Sequence, residues 1–241
     1  MSADQAHSDP APFRRIEVTP RRLPGWIESF AQRHGALTTE SDQAAVTFLA
    51  ADGACAVCQV PFPPLTSPLS LPPAPPEAEA PTGGSTPDQL AEQIAAHAQA
   101  DRTVGVLLVR LGGYAAGVFT GTSPTLAASK VGSRLVHGRS AAGGTSQRRF
   151  ARRRENQAHQ ALAAAANTAA AVFGPYRLDA VVLGGDRRAI AGIMDDPRLA
   201  PYSALAVEAF LTVPDPRLAV LKSAPPQFRA IRIKLTEPDH Q

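Results

Sequence analysis

Residues 130 to 157 read KVGSRLVHGRSAAGGTSQRRFARRRENQ, and the rest of the chain is arranged around this stretch. It holds Lys130, Arg134, Arg139, Arg148, Arg149, Arg152, Arg153 and Arg154, with no acidic residue before Glu155. The whole chain has 24 basic and 21 acidic residues, net +3; with these eight set aside, 16 bases face 21 acids, net −5. Positive charge is therefore concentrated in one place, as where a protein meets a phosphate-rich partner. A solvated, Arg-rich helix behind a surface loop has the same composition, so charge alone leaves both readings open. At the centre, Ala141-Ala142-Gly143-Gly144-Thr145-Ser146-Gln147 forms a narrow, flexible tip with a single amide side chain.

The segments flanking the tip describe an α/β chain. Upstream, Thr103 to Arg110 (TVGVLLVR) is a nearly unbroken apolar run, the pattern of a strand covered on both faces. Gly112-Gly113 makes a turn, and Tyr114 to Thr120 and Leu126 to Val136 read as strands leading to the tip. Downstream, Ser146 can cap a helix of about 25 residues, which Gly174-Pro175 stops after Phe173. Its apolar stripe is Phe150, Ala158, Ala161, Leu162, Ala165, Ala169 and Val172. Arg148, Arg149, Arg152 and Arg153 crowd the first two turns, the wrong end of the helix dipole for cations. An anion nearby would offset that disadvantage.

Beyond the long helix, Leu178 to Gly184 reads as a strand, Arg187 to Met194 as a short helix and 207 to 213 as another strand. A helix from Pro214 to Lys222 and a strand from Phe228 to Leu235 follow. Strand–Gly184-Gly185-Asp186–helix resembles a phosphate cradle, but it lacks G-x-x-x-x-G-K-[ST] and reads as a plain βα turn. Near the other end, Thr19-Pro20 opens a helix that Gly35 stops, with strand segments over 36–41 and 44–60 and a turn at Asp52-Gly53. Residues 61 to 87 contain ten of the 23 prolines. They read as a linker, a polyproline ligand being the alternative. The expected organisation is a disordered tail over 1–13, an N-terminal helix and strands over 14–60, a Pro-rich linker over 61–88 and the main domain over 89–237. Whether 14–60 packs on the main sheet or forms its own lobe is left open.

No run of 18 apolar residues exists, so no transmembrane helix is expected. The first 15 residues are polar and show no secretion signal, so a cytoplasmic location is expected. Cys55 and Cys58 form a C-x-x-C without a second ligand pair, and strand-like alternation sets them on opposite faces. They read as small buried hydrophobes, and no metal is expected.

The run GGTSQ-RRFARRR resembles the Gly-Gly-Gln tip of eukaryotic and archaeal class I peptide release factors, which also leads into an Arg-Phe-Ala-Arg helix. It is more similar to the Vms-like release factors, peptidyl-tRNA hydrolases of ribosome quality control, above all their actinobacterial branch. There Gly144-Thr145-Ser146-Gln147 stands for a Gly-X-X-Gln pattern, and VGSRLVHGRS, LGGDRRAI and VPDPR extend the likeness. It runs from about Arg14 to Leu235, the Pro-rich insert omitted. The resemblance implies an α/β fold with a mixed central sheet flanked by helices, as in release-factor catalytic domains and ribonuclease H, and a long helix after a mobile Gly-rich tip loop. It implies catalysis by Gln147 with Gly143, Gly144, Thr145 and Ser146, and RNA contacts from Lys130, Arg134, His137, Arg139, Arg148, Arg149, Arg152, Arg153 and Arg154. The implied partners are the large ribosomal subunit, through its ribosomal RNA, and peptidyl-tRNA. No DNA, membrane or cofactor is expected, and the protein is expected to act as a monomer. One departure stands out: Gln147 lies two residues nearer the helix than in the Gly-Gly-Gln tip, where Thr145 takes the glutamine position.

Glutamine does not titrate, so Gln147 offers only an acceptor, two amide donors and a backbone N–H. That suits a substrate already activated as an ester, with Gln147 orienting a water and a tip N–H holding the developing oxyanion. Gly143 and Gly144 let the backbone approach RNA closely. His137, the one titratable side chain near the tip, reads as an RNA contact or loop packing, with a direct part in the chemistry as the alternative. No codon-reading domain is visible, which points to release independent of a stop codon. Two other classes share part of this pattern. A non-catalytic ribosome- or tRNA-binding factor would need the arginines but not Gln147. An RNA-cleaving enzyme would need clustered carboxylates that the basic region lacks.

Overall fold

The computed structural model describes residues 13–65, 85–110, 113–133 and 146–238, with the side chains of 146–156 and of 158 excepted. The expected tail before residue 13, residues 66–84 of the Pro-rich segment and the tip segment 134–145 lie outside the described residues. The chain divides into two units, Met1–Ala98 with Ala230–Gln241, and Gln99–Arg229.

The first unit is built on side-chain alternation. Strands β1 (Arg14–Val18), β2 (Leu37–Ser41), β3 (Ala45–Ala50), β4 (Cys55–Gln59) and β10 (Ile231–Thr236) form an antiparallel sheet in the order β1-β10-β4-β3-β2. In β10, Ile231, Ile233 and Leu235 are buried while Lys234 between them is exposed. Val46, Phe48, Ala56 and Cys58 share the buried face. Helices α1 (Leu23–His34) and α2 (Pro87–Gln99) cover it with Leu23, Ile27, Phe30, Leu90 and Ile94. Burial of each of these large side chains stabilises the fold by about 1.5–3 kcal/mol. Thr86 and Gln89 close a reciprocal capping box at the start of α2: the Gln89 amide donates to Thr86 Oγ1 at 3.3 Å and the Thr86 amide to Gln89 Oε1 at 2.9 Å.

Two features of this unit depart from the sequence reading. The strand β1 was not anticipated, and α2 and β10, expected in the main domain, complete the N-terminal core. The physical reason is supply of apolar surface, since β10 sits between β1 and β4 and contributes three buried side chains to their face. The cysteines do lie on opposite faces of β4: Cys58 is fully buried in this core and Cys55 is half-buried.

The second unit is a mixed sheet of β5 (Val104–Arg110), β6 (Gly113–Thr120), β7 (Thr125–Ser133), β8 (Ala180–Gly185) and β9 (Ala206–Leu211), in the order β7-β6-β5-β8-β9. β7, β6 and β5 are antiparallel neighbours; β5, β8 and β9 run parallel. Helices α3 (Ser146–Phe173) and α4 (Arg187–Met194) pack on one face through Ala165, Ala169, Phe173, Ile190 and Ile193. Short helices follow: α5 (Ala200–Ser203), α6 (Leu218–Lys222) and α7 (Ala224–Phe228). Leu221 of α6 lies over Gly117, where a Cβ would come within 2.8 Å of its side chain, and Phe228 meets Phe119 edge-on. The mixed α/β sheet flanked by helices, with a long helix after the tip segment, is the architecture expected from the sequence. No helix among the described residues is long and apolar enough to cross a membrane.

Lengths within this unit are unequal. The 28 residues of α3 make a helix about 42 Å long, whereas the seven residues of β5 span about 23 Å. Among the described side chains of α3, the buried portion runs from Ala161 to Phe173, and Phe173 lies beside Gly105 at the start of β5. That portion rises about 18 Å, close to the length of the strand beneath it. The preceding residues of α3 carry the arginines.

Candidate functional site

Strand register brings separate chain segments to one end of the mixed sheet. Arg110 pairs with Gly113, and Gly113 pairs with Ser133. Val109 pairs with Gly185, and Gly184 with Leu211. β5, β7, β8 and β9 therefore all finish at the end where β6 begins. In open α/β sheets, ligands gather beyond the carboxyl ends of the parallel strands. The segment holding Gly143, Gly144 and Thr145 leaves the described chain here, after Ser133, and rejoins it at Ser146, the first residue of α3.

The expected site residues are distributed as follows. Lys130 lies on the edge strand β7, exposed, opposite Ala116, whose side chain is buried on the face that α3 covers. Ser146, Gln147, Arg148, Arg149, Arg152, Arg153 and Arg154 are all on α3, so Gln147 belongs to the first turn of the helix rather than to the loop before it. Their side chains, and all of Arg134, His137, Arg139, Gly143, Gly144 and Thr145, lie outside the described residues.

Sequence reasoning passed over four arginines at the same sheet end. Arg110 closes β5, and its Nη1 donates to the carbonyl oxygen of Val213 at 2.8 Å. Arg187 and Arg188 open α4 just after β8, and the Arg187 guanidinium lies over the Phe210 ring, 4.1 Å from its centroid. Arg217 follows β9, and with Arg110, Pro214, Asp215 and Val220 it lines an open cleft of about 380 Å³. The signal was present in LGGDRRAI and VPDPR, but nothing local says that they meet.

The turn after β8 explains how Arg187 and Arg188 are placed. Gly185 has φ +100°, a conformation that L side chains rarely adopt. Asp186 then caps α4, its Oδ1 accepting from the amides of Arg188 at 2.8 Å and Ala189 at 3.1 Å. Because that carboxylate occupies the helix N-terminus, Gly184-Gly185-Asp186 is a βα turn and not a phosphate cradle. Among the described residues, no group of three His, Cys, Asp or Glu side chains could hold a metal ion.

The mixed α/β unit, with its edge strand β7 and long helix α3, lies within the part of the chain that matches a known family. The Actinobacteria/chloroflexi VLRF1 release factor family matches residues 102–234, more than half of the 241-residue chain. The chain belongs to that family, and its function is release-factor-like. Among solved structures, the archaeal translation termination factor aRF1 is similar at 13% identity and a TM-score of 0.34, covering 91% of this chain and 68% of that one. A second archaeal protein is similar at 14% identity and a TM-score of 0.34, covering 90% of this chain and 65% of the other. The chain thus spans about two thirds of the length of each. No curated protein matches it.

Proposed function

We propose that the protein hydrolyses the ester of peptidyl-tRNA on stalled large ribosomal subunits, without reading a stop codon. The observation that carries this reading is the position of Gln147, in the first turn of the long helix of a release-factor family member. The first four N–H groups of an α-helix have no partner within it, so the backbone of this turn offers donors as well as the amide side chain.

In the reaction, a water oxygen attacks the carbonyl carbon that joins the nascent peptide to the ribose. The bond from that carbon to the ribose oxygen breaks. One water proton ends on the freed ribose hydroxyl, and the other passes to solvent as the peptide leaves as a carboxylate. Gln147 orients the water through its amide. An N–H of the 143–147 segment faces the oxyanion, a contribution worth about 10²–10³ in rate. Gly143 and Gly144 keep the approach narrow, and Thr145 and Ser146 complete the segment between them and Gln147. Lys130, Arg134, His137, Arg139 and the arginines from Arg148 to Arg154 contact ribosomal RNA and tRNA, giving affinity that falls with salt.

The test is release of nascent peptide from purified large subunits carrying peptidyl-tRNA. Gln147→Ala should abolish release while binding to the subunit survives. Release at the wild-type rate by that variant sinks the reading.

A further inference from the structure

The four arginines at the sheet end are not used by the reaction above, yet three separate turns of chain deliver them to one place. They sit on both sides of that end. Arg110 has the strand parity of Leu108 and faces α6 with Arg217, whose cleft is lined by Val220. Arg187 lies over Phe210, which packs into the core beneath α3 and α4, and Arg188 follows it. All four are exposed. Among the described residues, none of them makes an ion pair.

The neighbouring carboxylates cancel only part of this charge: Asp186, which accepts from the α4 amides, and Asp215, in the cleft wall with Arg110 and Arg217, set two negative charges against four positive ones. Two of the guanidiniums are also held in place, Arg110 by its bond to the Val213 carbonyl and Arg187 by the Phe210 ring. A fixed guanidinium loses less freedom on meeting an anion than a free one, and its fork of donors suits phosphate oxygens.

Geometry favours RNA over a small anion. From β7, where the tip segment departs, to β8 is three strand spacings, roughly 14 Å. A nucleic-acid backbone presents phosphates every few ångströms along such a distance. We infer that this end of the mixed sheet is an RNA-docking surface in its own right, with Arg188 and Arg217 neutralising backbone phosphates on its two sides and Arg110 and Arg187 held beside them as supporting contacts. The inference extends the reading of the tip as an RNA-directed segment. It concerns RNA that lies alongside the tip and not the ester at its end.

The test uses the full-length protein and a short RNA hairpin ending in CCA, with affinity measured by fluorescence anisotropy across a salt series. Each phosphate contact contributes about 0.7–0.9 to the slope of log K against log salt. Arg188→Gln/Arg217→Gln should therefore lower the slope by about 1.4–1.8 and weaken binding at 0.1 M salt roughly 25- to 60-fold. Arg188→Lys/Arg217→Lys, which keeps the charge, should restore most of both. Binding by the Gln variant with unchanged affinity and slope overturns the proposal, as does a loss confined to association with an acidic protein. The release reaction is a separate matter. Gln147→Ala should leave the salt slope untouched, and a wild type that binds the hairpin but releases no peptide would sink the hydrolase reading alone.

Discussion

The amide of Asp186 donates to the carbonyl oxygen of Val109 at 2.7 Å, which continues the parallel pairing of β5 and β8 one residue past the end of the ladder. The bond is reached only because Gly185 turns with φ +100° and has no side chain, since a Cβ there would overlap the Val109 carbonyl. Gly185→Ala should therefore destabilise the protein by about 1–2 kcal/mol from the left-handed backbone alone, with the clash adding to it. Urea denaturation would measure this. A variant as stable as the wild type would mean that β8 ends differently.

Arg229 ties the end of α7 to the β6–β7 turn. Its guanidinium donates to the carbonyl oxygens of Gly121 at 3.0 Å, Ala100 at 3.4 Å and Thr122. Burial and then the Arg102 guanidinium push its pKa down, so these carbonyls hold a charge that its surroundings disfavour. Arg229→Met keeps the stem and removes the donors, and should cost about 2–3 kcal/mol. A change under about 0.5 kcal/mol in the urea midpoint analysis would show that water replaces the lost donors.

Asp196 supplies an acid-sensitive contact. Its carboxylate accepts from Arg198 Nη2 at 2.6 Å and Nε at 2.8 Å, and these bonds, then the Arg198 amide, pull its pKa down to about 2. A folded pKa below the ordinary 3.8 means that the stabilisation is complete above 3.8 and disappears as pH falls through about 2. Asp196→Asn should lower Tm at pH 7 by a small, salt-sensitive amount, because the pair is exposed. Well below pH 2, where both side chains are neutral, the two proteins should melt together; a persistent gap there would contradict the assignment.

The two thiols should react unequally. Burial, with Cys55 nearby, pushes Cys58 up to about 12, whereas Cys55 is half-buried and raised by burial and by the Glu40 carboxylate. At pH 8 the Cys58 thiolate is then about one part in ten thousand. Iodoacetamide should label Cys55 slowly in the native protein and Cys58 only after unfolding, read by peptide mass spectrometry. Equal native labelling would remove Cys58 from the core.

The elements most legible in the sequence were those with a continuous signal. The run Thr103 to Arg110 announced a covered strand, and Gly174-Pro175 ended α3 at Phe173 as expected. α4 occupies the anticipated residues because Asp186 is a strong cap. Other elements gave no local warning. The helix α7 is Ala-Pro-Pro-Gln-Phe, which reads as a loop until the prolines are seen in its first turn, where a missing N–H is harmless. β1 is only five residues with three charges, and its partner β10 lies more than two hundred residues away. The same distance problem hid the arginine cluster, since Arg110 and Arg217 meet only once the sheet order is known. In the candidate site, the sequence did give the residues that flank the tip segment, Lys130 on β7 and Ser146 and Gln147 at the start of α3.

The mismatch between α3 and the strands beneath it makes the helix a lever. Its fulcrum is the stretch of small side chains from Ala161 to Ala169, where a neighbour can be displaced only by pushing the helix off the sheet. A tilt of about 5° there would swing the Gln147 end by roughly 2 Å, and on the role proposed for Gln147 a misplacement of about 1 Å would cost up to 10²-fold in rate. Enlarging Ala165 would thus be felt far from where it is made, as an error of aim.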